Sequence, residues 1–158
     1  MIRFDAGVTS IQSHPHVQHL LAVGRYRILL HPAVRIILIH CISYDSTVRI
    51  FDVRQLGSPV AQANVGGGAW RVKWHPDETR KEDLLVACMH DGFKVVRFGP
   101  ITDGGRVFSG EPEVVKRRDD HESMAYGADW SHAPPLANGE TLIGGCSFYD
   151  HKMSLWSA

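Results

Sequence analysis

Along much of the chain, apolar and polar residues alternate over four to six positions and then break at Pro, Gly or Asp. This pattern predicts short half-buried strands joined by tight turns. Three segments repeat the same order of features. The first runs from Val8 to His14-Pro15, then through the apolar Leu20-Leu-Ala-Val-Gly24, a turn at Tyr44-Asp45, and alternating Thr47–Asp52. The second has Ala69–Pro76, then Asp83–His90, a turn at Asp91-Gly92, and Phe93–Phe98. The third has Ala125–His132, then Thr141–Phe148, a turn at Tyr149-Asp150, and Lys152–Trp156. Further strands are predicted near Ala61–Asn64 and Glu113–Lys116. No stretch of about twelve residues carries a clean helical period, so the chain is expected to be all-β.

The repeated order resembles the WD repeat, in which strand a closes on His-Pro, strand b is rich in small residues and an Asp sits in the b–c turn. Phe51-Asp52 and Trp156-Ser157 stand where the repeat ends on Trp-Asp. The expected fold is a WD40-type β-propeller with blades at about 6–65, 66–120 and 121–158. Closed propellers have about four to eight blades, so three form an incomplete, open arc. Blades pack face to face, which favours small residues in strand b. Asp45, Asp91 and Asp150 are read first as turn formers, because an Asp side chain accepts local backbone hydrogen bonds.

Composition excludes some function classes. Lys plus Arg and Asp plus Glu are both 17, so no net field recruits nucleic acid or an anionic membrane. Arg117-Arg118 is followed at once by Asp119-Asp120 and reads as a solvated loop. Cys41, Cys88 and Cys146 are odd in number and far apart, which suits reduced thiols better than a disulfide framework. No leader-like segment or run of about 18 apolar residues occurs, so a cytoplasmic location away from membranes is expected. No metal-ligand spacing or cofactor motif is found, and Gly66-Gly-Gly68 lacks the Lys and the helix of a phosphate loop.

The wording of the repeats is more specific than a generic WD pattern. Ser10-Ile-Gln-Ser-His-Pro15, Gly66–Pro76, Leu85–Val95, Met124–Trp130 and Gly145–His151 together resemble the C-terminal part of the WD-repeat diphthine methyl ester hydrolases, also called diphthine methyltransferases. The resemblance implies an enzyme that removes the methyl ester of diphthine on a histidine of translation elongation factor 2, during diphthamide biosynthesis. It implies that factor as protein partner, no cofactor, and no direct contact with nucleic acid.

Ester hydrolysis needs an activated nucleophile or water, a base and donors for the oxyanion. No Gly-x-Ser-x-Gly elbow is present. Antiparallel blades place all b–c turns and d–a loops at one end, so His90 and His151 are the candidate bases, with Asp91 and Asp150 orienting them. Tyr44, Tyr126 and Tyr149 would contact substrate. Cys88, Cys146 and Ser147 could be nucleophiles, although their place in strand b also suits small-residue packing. His14 and His75 would cap turns at the far end, His121 would hydrogen-bond within a blade, and Trp70, Trp74 and Trp130 would pack between blades. The alternative is a non-catalytic WD scaffold that binds a peptide or protein partner.

One segment departs from the pattern. Thirty positions separate Pro15 from Asp45, whereas fifteen separate Pro76 from Asp91. Without residues 25–42 the first hairpin reads Leu-Ala-Val-Gly-Ser-Tyr-Asp-Ser-Thr-Val, so this apolar, aperiodic segment is read as a non-native insertion encoded by a retained in-frame intron. A lineage-specific loop is the alternative. Sequencing the transcript decides between them: a dominant message lacking the segment is expected, and a dominant message containing it overturns the intron reading.

Overall fold

The structure, a computed structural model, describes residues 10–23, 45–54, 57–102 and 107–158. The segment 25–42, Tyr44 and Cys41 lie outside the described residues. The fold is all-β, a segment of a WD-type β-propeller forming an open arc. The first antiparallel sheet holds β1 (Ile11–Ser13), β2 (Leu20–Val23), β3 (Thr47–Asp52) and β4 (Ala61–Asn64) in chain order. The second holds β5 (Arg71–Trp74), β6 (Asp83–Ala87), β7 (Phe93–Arg97) and, beyond a two-stranded excursion of β8 (Ile101–Thr102) and β9 (Val107–Phe108), β10 (Glu113–Arg118). The third holds β11 (Ala125–Trp130), β12 (Leu142–Ser147) and β13 (Met153–Ser157). Val23 pairs with Arg49 across the first b–c connection, as Ala87 pairs with Phe93 across the second. Both ends of the first hairpin are thus held together whatever lies between them.

The alternation read from the sequence becomes packing on two faces. Every residue of β6 is buried. Leu84, Val86 and the following Cys88 join Leu20, Ala22, Val48 and Ile50 of the first sheet in one apolar cluster. Leu85 and Ala87, with Phe93 and Val95, join Ala128, Trp130, Ile143 and Trp156 of the third sheet in another. A strand covered on both faces reads as a continuous apolar run, which is why Asp83–Ala87 shows less alternation than its neighbours. Each such aliphatic side chain contributes about 1.5–3 kcal/mol by leaving water.

Polar contacts join the sheets where apolar contact ends. The backbone N–H of Val72 donates to Ser10 Oγ at 3.3 Å, and that of Trp74 to Gln12 Oε1, so β1 is fastened to β5 by side chains. Trp130 Nε1 donates to the Lys73 carbonyl at 2.9 Å, fastening β11 to β5. Buried Asp83 receives Arg80 Nε at 2.9 Å and a fork from Arg97 at 2.6 and 2.8 Å. Burial raises its pKa, but the two guanidiniums prevail and hold the carboxyl below the usual range. Arg117 and Arg118 do not occupy the loop expected from their sequence. They end β10, and the acids around them are their partners: Arg117 pairs with Asp91 and Asp119, Arg118 with Asp120.

Two adjacent glycines test how closely the blades approach. A Cβ on Gly145 would meet ring carbons of Phe93 at 3.0–3.2 Å, whereas one on Gly144, on the opposite face of β12, would reach only Leu155 Cδ2 at 3.9 Å. Gly145→Ala is expected to lose about 1–3 kcal/mol through overpacking. Gly144→Ala is expected to gain about 0.5 kcal/mol from the stiffer chain. Denaturant melts of the two variants check this, and equal stabilities would show that the Phe93 contact is not tight.

Candidate functional site

The b–c turns share one local device. Asp45 Oδ1 accepts the Thr47 N–H at 3.0 Å, and Asp150 Oδ1 accepts the Lys152 N–H at 3.4 Å. The residue after the Asp then takes a positive φ: Ser46 at 59°, Gly92 at 69° and His151 at 52°. Glycine is at ease in that conformation, whereas a side chain such as that of His151 costs about 1–2 kcal/mol there. His151 is therefore strained and exposed at the tip of its turn.

A cleft of about 600 Å³ opens at this end between the second and third sheets, lined by His90, His121, Glu122, Ser123, Met124, Tyr149 and Asp150. Of the candidates named from the sequence, it gathers His90, Asp150 and Tyr149. His151 adjoins Asp150 in the chain but is not among the lining residues, and neither are Asp91 and Tyr126. Asp91 instead receives Lys94 Nζ at 2.5 Å and Arg117 Nη2 at 2.6 Å, and Lys94 also donates to the Val65 carbonyl. Burial raises the Asp91 pKa, and these two cations more than offset it. Asp150 receives the Ser147 hydroxyl, which lowers its pKa most, and the Glu122 N–H at 3.0 Å. Neither aspartate is hydrogen-bonded to its neighbouring histidine. The Asp119–Ser123 segment was missed as a source of lining groups, although its place in a d–a loop puts it at this end.

His121 forms a chain of hydrogen bonds beneath the cleft. Ser147 Oγ donates to Asp150, so it accepts from His121 Nδ1 at 2.6 Å. The ring's Nε2 is hydrogen-bonded to Ser154 Oγ at 2.7 Å. The loop, β12 and β13 are thereby joined through one ring, which also stands edge-on to Phe93 at 5.1 Å. The within-blade role expected for His121 is the one observed. Cys88 is buried, and burial pushes its thiol up to about 12, so it supplies no thiolate near neutral pH. Cys146 is exposed on the outward side of β12, away from the cluster that faces the second sheet.

At the far end the histidines act differently. His14 Nδ1 accepts the N–H groups of His16 at 3.1 Å and Val17 at 3.0 Å, and its Nε2 donates to the Lys81 carbonyl of the second sheet's a–b turn at 2.7 Å. His75 repeats this one blade on: Nδ1 accepts the Asp77 N–H at 3.0 Å, and Nε2 donates to Thr141 Oγ1 at 2.9 Å. His14 packs on Trp74 at 4.7 Å and His75 on Trp130 at 4.6 Å. Each caps its own turn and also reaches into the next blade. In the third blade Ser131 replaces the histidine and keeps only the cap, accepting the Ala133 N–H at 3.1 Å. Trp70, Trp74 and Trp130 all pack between blades; Trp70, half-buried, meets Tyr126 of β11 edge-on at 4.7 Å near the cleft.

Stacked antiparallel blades, His-capped a–b turns and Asp-led b–c turns define a WD-type propeller segment with a histidine- and carboxylate-lined cleft at its b–c end. No protein-family profile matches the chain. Among curated proteins it is 38% identical over 157 residues to "Diphthine methyltransferase homolog" of Dictyostelium discoideum, covering 98% of this chain and 36% of that protein. It is 36% identical over 129 residues to "Diphthine methyltransferase" of Homo sapiens (82% of this chain, 23% of that one). The Saccharomyces cerevisiae protein of that name is 34% identical over 131 residues (72% and 30%). The chain belongs with the diphthine methyltransferases, matching their C-terminal part and spanning about a third or less of the relatives' length. Among the described residues, no helix is long and apolar enough to cross a membrane, and no group of three His, Cys, Asp or Glu is placed to hold a metal.

Burial, above all, pushes the His14 imidazole from 6.5 down to about 4, against the raising effect of its bond to Lys81. Burial, and then the Arg80 charge, lower His75 as well. The His14 ring is neutral in the fold and takes up a proton on unfolding, so the stability it confers is complete above about pH 6.5 and is lost as pH falls toward about 4; the lowered pKa of His75 acts in the same direction. Thermal melts from pH 7 to pH 4 should show this loss, and the loss should be smaller in His14→Gln. An equal slope in the variant would assign the acid sensitivity elsewhere.

Proposed function

We propose that this chain supplies part of the active surface of an enzyme of diphthamide biosynthesis, one that hydrolyses the methyl ester of diphthine on translation elongation factor 2 in the cytoplasm. The observation that carries the reading is the cleft that sets His90 beside Glu122, Asp150 and Tyr149, in a chain aligned with diphthine methyltransferases over nearly all of its length. Histidine and carboxylates around an open cleft suit ester hydrolysis by water. His90 takes a proton from a water molecule as its oxygen attacks the ester carbonyl, returns that proton to the departing methoxide to give methanol, and the carboxylic acid formed releases its own proton to solvent as carboxylate. His151, exposed beside Asp150, is the second candidate base. A strained backbone at that position is the kind of feature that marks functional sites.

A second reading, a scaffold that docks a protein partner, is favoured by Phe148 and Tyr149, which are 67% and 64% exposed on the same surface.

The test is methyl release from esterified diphthine on the elongation factor. It uses a chimera in which this chain replaces the matching part of the Dictyostelium relative. His90→Ala is expected to cut turnover by about 10²–10⁴ without loss of stability. His151→Gly is expected to raise stability by about 1 kcal/mol through relief of the positive φ, while lowering turnover if His151 serves as a base. Full turnover in both variants would overturn histidine base catalysis and favour the scaffold.

A further inference from the structure

We propose that the hollow between the a–b turns of the second and third blades binds an arginine side chain of a polypeptide partner. The repeat itself supplies the argument, because the protein closes the same place between its first two blades. His14, His75 and Ser131 hold equivalent positions, since each accepts the backbone N–H two residues on, at 3.1, 3.0 and 3.1 Å. Pro15, Pro76 and His132 are then equivalent, as are His16, Asp77 and Ala133. Between the first two blades, His16 Nε2 donates to the Pro76 carbonyl at 2.9 Å and bridges the turns. Between the second and third, the matching pair is the Asp77 side chain and the His132 carbonyl.

A carboxylate and a carbonyl are both acceptors, so this pair cannot close on itself. A hollow of about 420 Å³ opens there, with Pro76, Asp77, His132, Pro134, Pro135 and Thr141 among its walls. Asp77 Oδ1 takes the N–H and the hydroxyl of Thr79 at 2.8 and 2.7 Å, and those bonds hold its pKa below the usual range. Asp77 Oδ2 and the His132 carbonyl receive no hydrogen bond among the described residues. Arg80 reaches Thr141 at 3.4 Å but pairs with Asp83 and the Ala158 carbonyl, not with Asp77.

Two acceptors left at one hollow call for a donor that carries no acceptor of its own. A divalent cation is a poor match, because it needs about six oxygen ligands or more, and no group of three His, Cys, Asp or Glu is gathered among the described residues. A lysine ammonium is compact and strongly hydrated, and in an open hollow it stays in water. A guanidinium is weakly hydrated and carries its N–H donors in a planar fork, so it can bond a carboxylate and a carbonyl together. The rigid proline rings give the aliphatic stem behind it an apolar wall. No Lys or Arg lines the hollow to receive an α-carboxylate, which favours arginine within a polypeptide over the free amino acid.

The inference stands apart from the esterase reading: the hollow lies at the end opposite the cleft, and its test contains no ester. N-acetyl-arginine methylamide is titrated into the 158-residue chain and followed by the shifts of the histidine ring protons. Saturable binding is expected, at least about fivefold tighter than that of the citrulline derivative, its neutral isostere, or of the lysine derivative. It should weaken as salt is added. Asp77→Asn keeps an acceptor for the Thr79 N–H, so it should leave Tm unchanged while weakening binding about fivefold. Asp77→His recreates the arrangement of the first two blades and should abolish binding by supplying the donor from within. Absence of saturable binding, equal binding of the arginine and citrulline derivatives, or binding unchanged in both Asp77 variants overturns the site. Tighter binding of free L-arginine than of the capped derivative overturns its assignment to a polypeptide.

Discussion

The structure depends on covering the second sheet from both sides. β6 and β7 present apolar side chains alternately to the first and third sheets, so one strand pair supplies the centre of both apolar clusters. That burial sets the distance between blades. The distance in turn requires glycine at 145, where Phe93 approaches, and tolerates Leu84 and Leu85, whose side chains point to opposite neighbours. Inter-sheet hydrogen bonds must then thread between the packed side chains, as the buried bond from Val72 to Ser10 does. Ser10, Gln12 and Trp130 therefore bond to the backbone of β5 rather than to other side chains.

The stacking also sorts the chemistry by end. At the a–b end, a histidine pushed down to about 4 by burial caps its own turn and reaches the adjacent blade. Such a ring has no lone pair left for a substrate, and its service is cohesion. At the b–c end the turns project beyond the apolar clusters. There His90 and His151 stand exposed, the Asp119–Ser123 loop crosses over to meet the β12–β13 turn, and the His121–Ser147–Asp150 chain holds that meeting together. The aromatic row from Trp70 to Phe148 lies along the same edge. At one end His14 and His75 serve cohesion, whereas at the other His90 and His151 are exposed, which is the physical ground for placing the esterase function at the b–c end.

Much of this was legible in the chain itself. Alternation with period two, closure on His-Pro and recurring Asp turns are local features, and they foretold the all-β fold, the strands near 61–64 and 113–116, and the turn-capping of His14 and His75. The wording of the repeats also carried the kinship with diphthine methyltransferases. Local signals of this kind survive because turn dihedrals and strand faces are set by residues within a few positions of one another. What the tertiary structure alone decided is which charged groups meet. Asp91 looked like a partner for the adjacent His90. Only the return of β10 alongside β7 brings Arg117 to that carboxylate, while Lys94 reaches it from the same turn. Asp150 likewise turns to a hydroxyl and to backbone N–H groups instead of to His151. The cleft residues His121 to Met124, and the meeting of Trp70 with Tyr126, follow from contacts between segments on different sheets. A side chain's neighbours across a blade interface depend on how whole sheets stack, and no local pattern in the sequence records that.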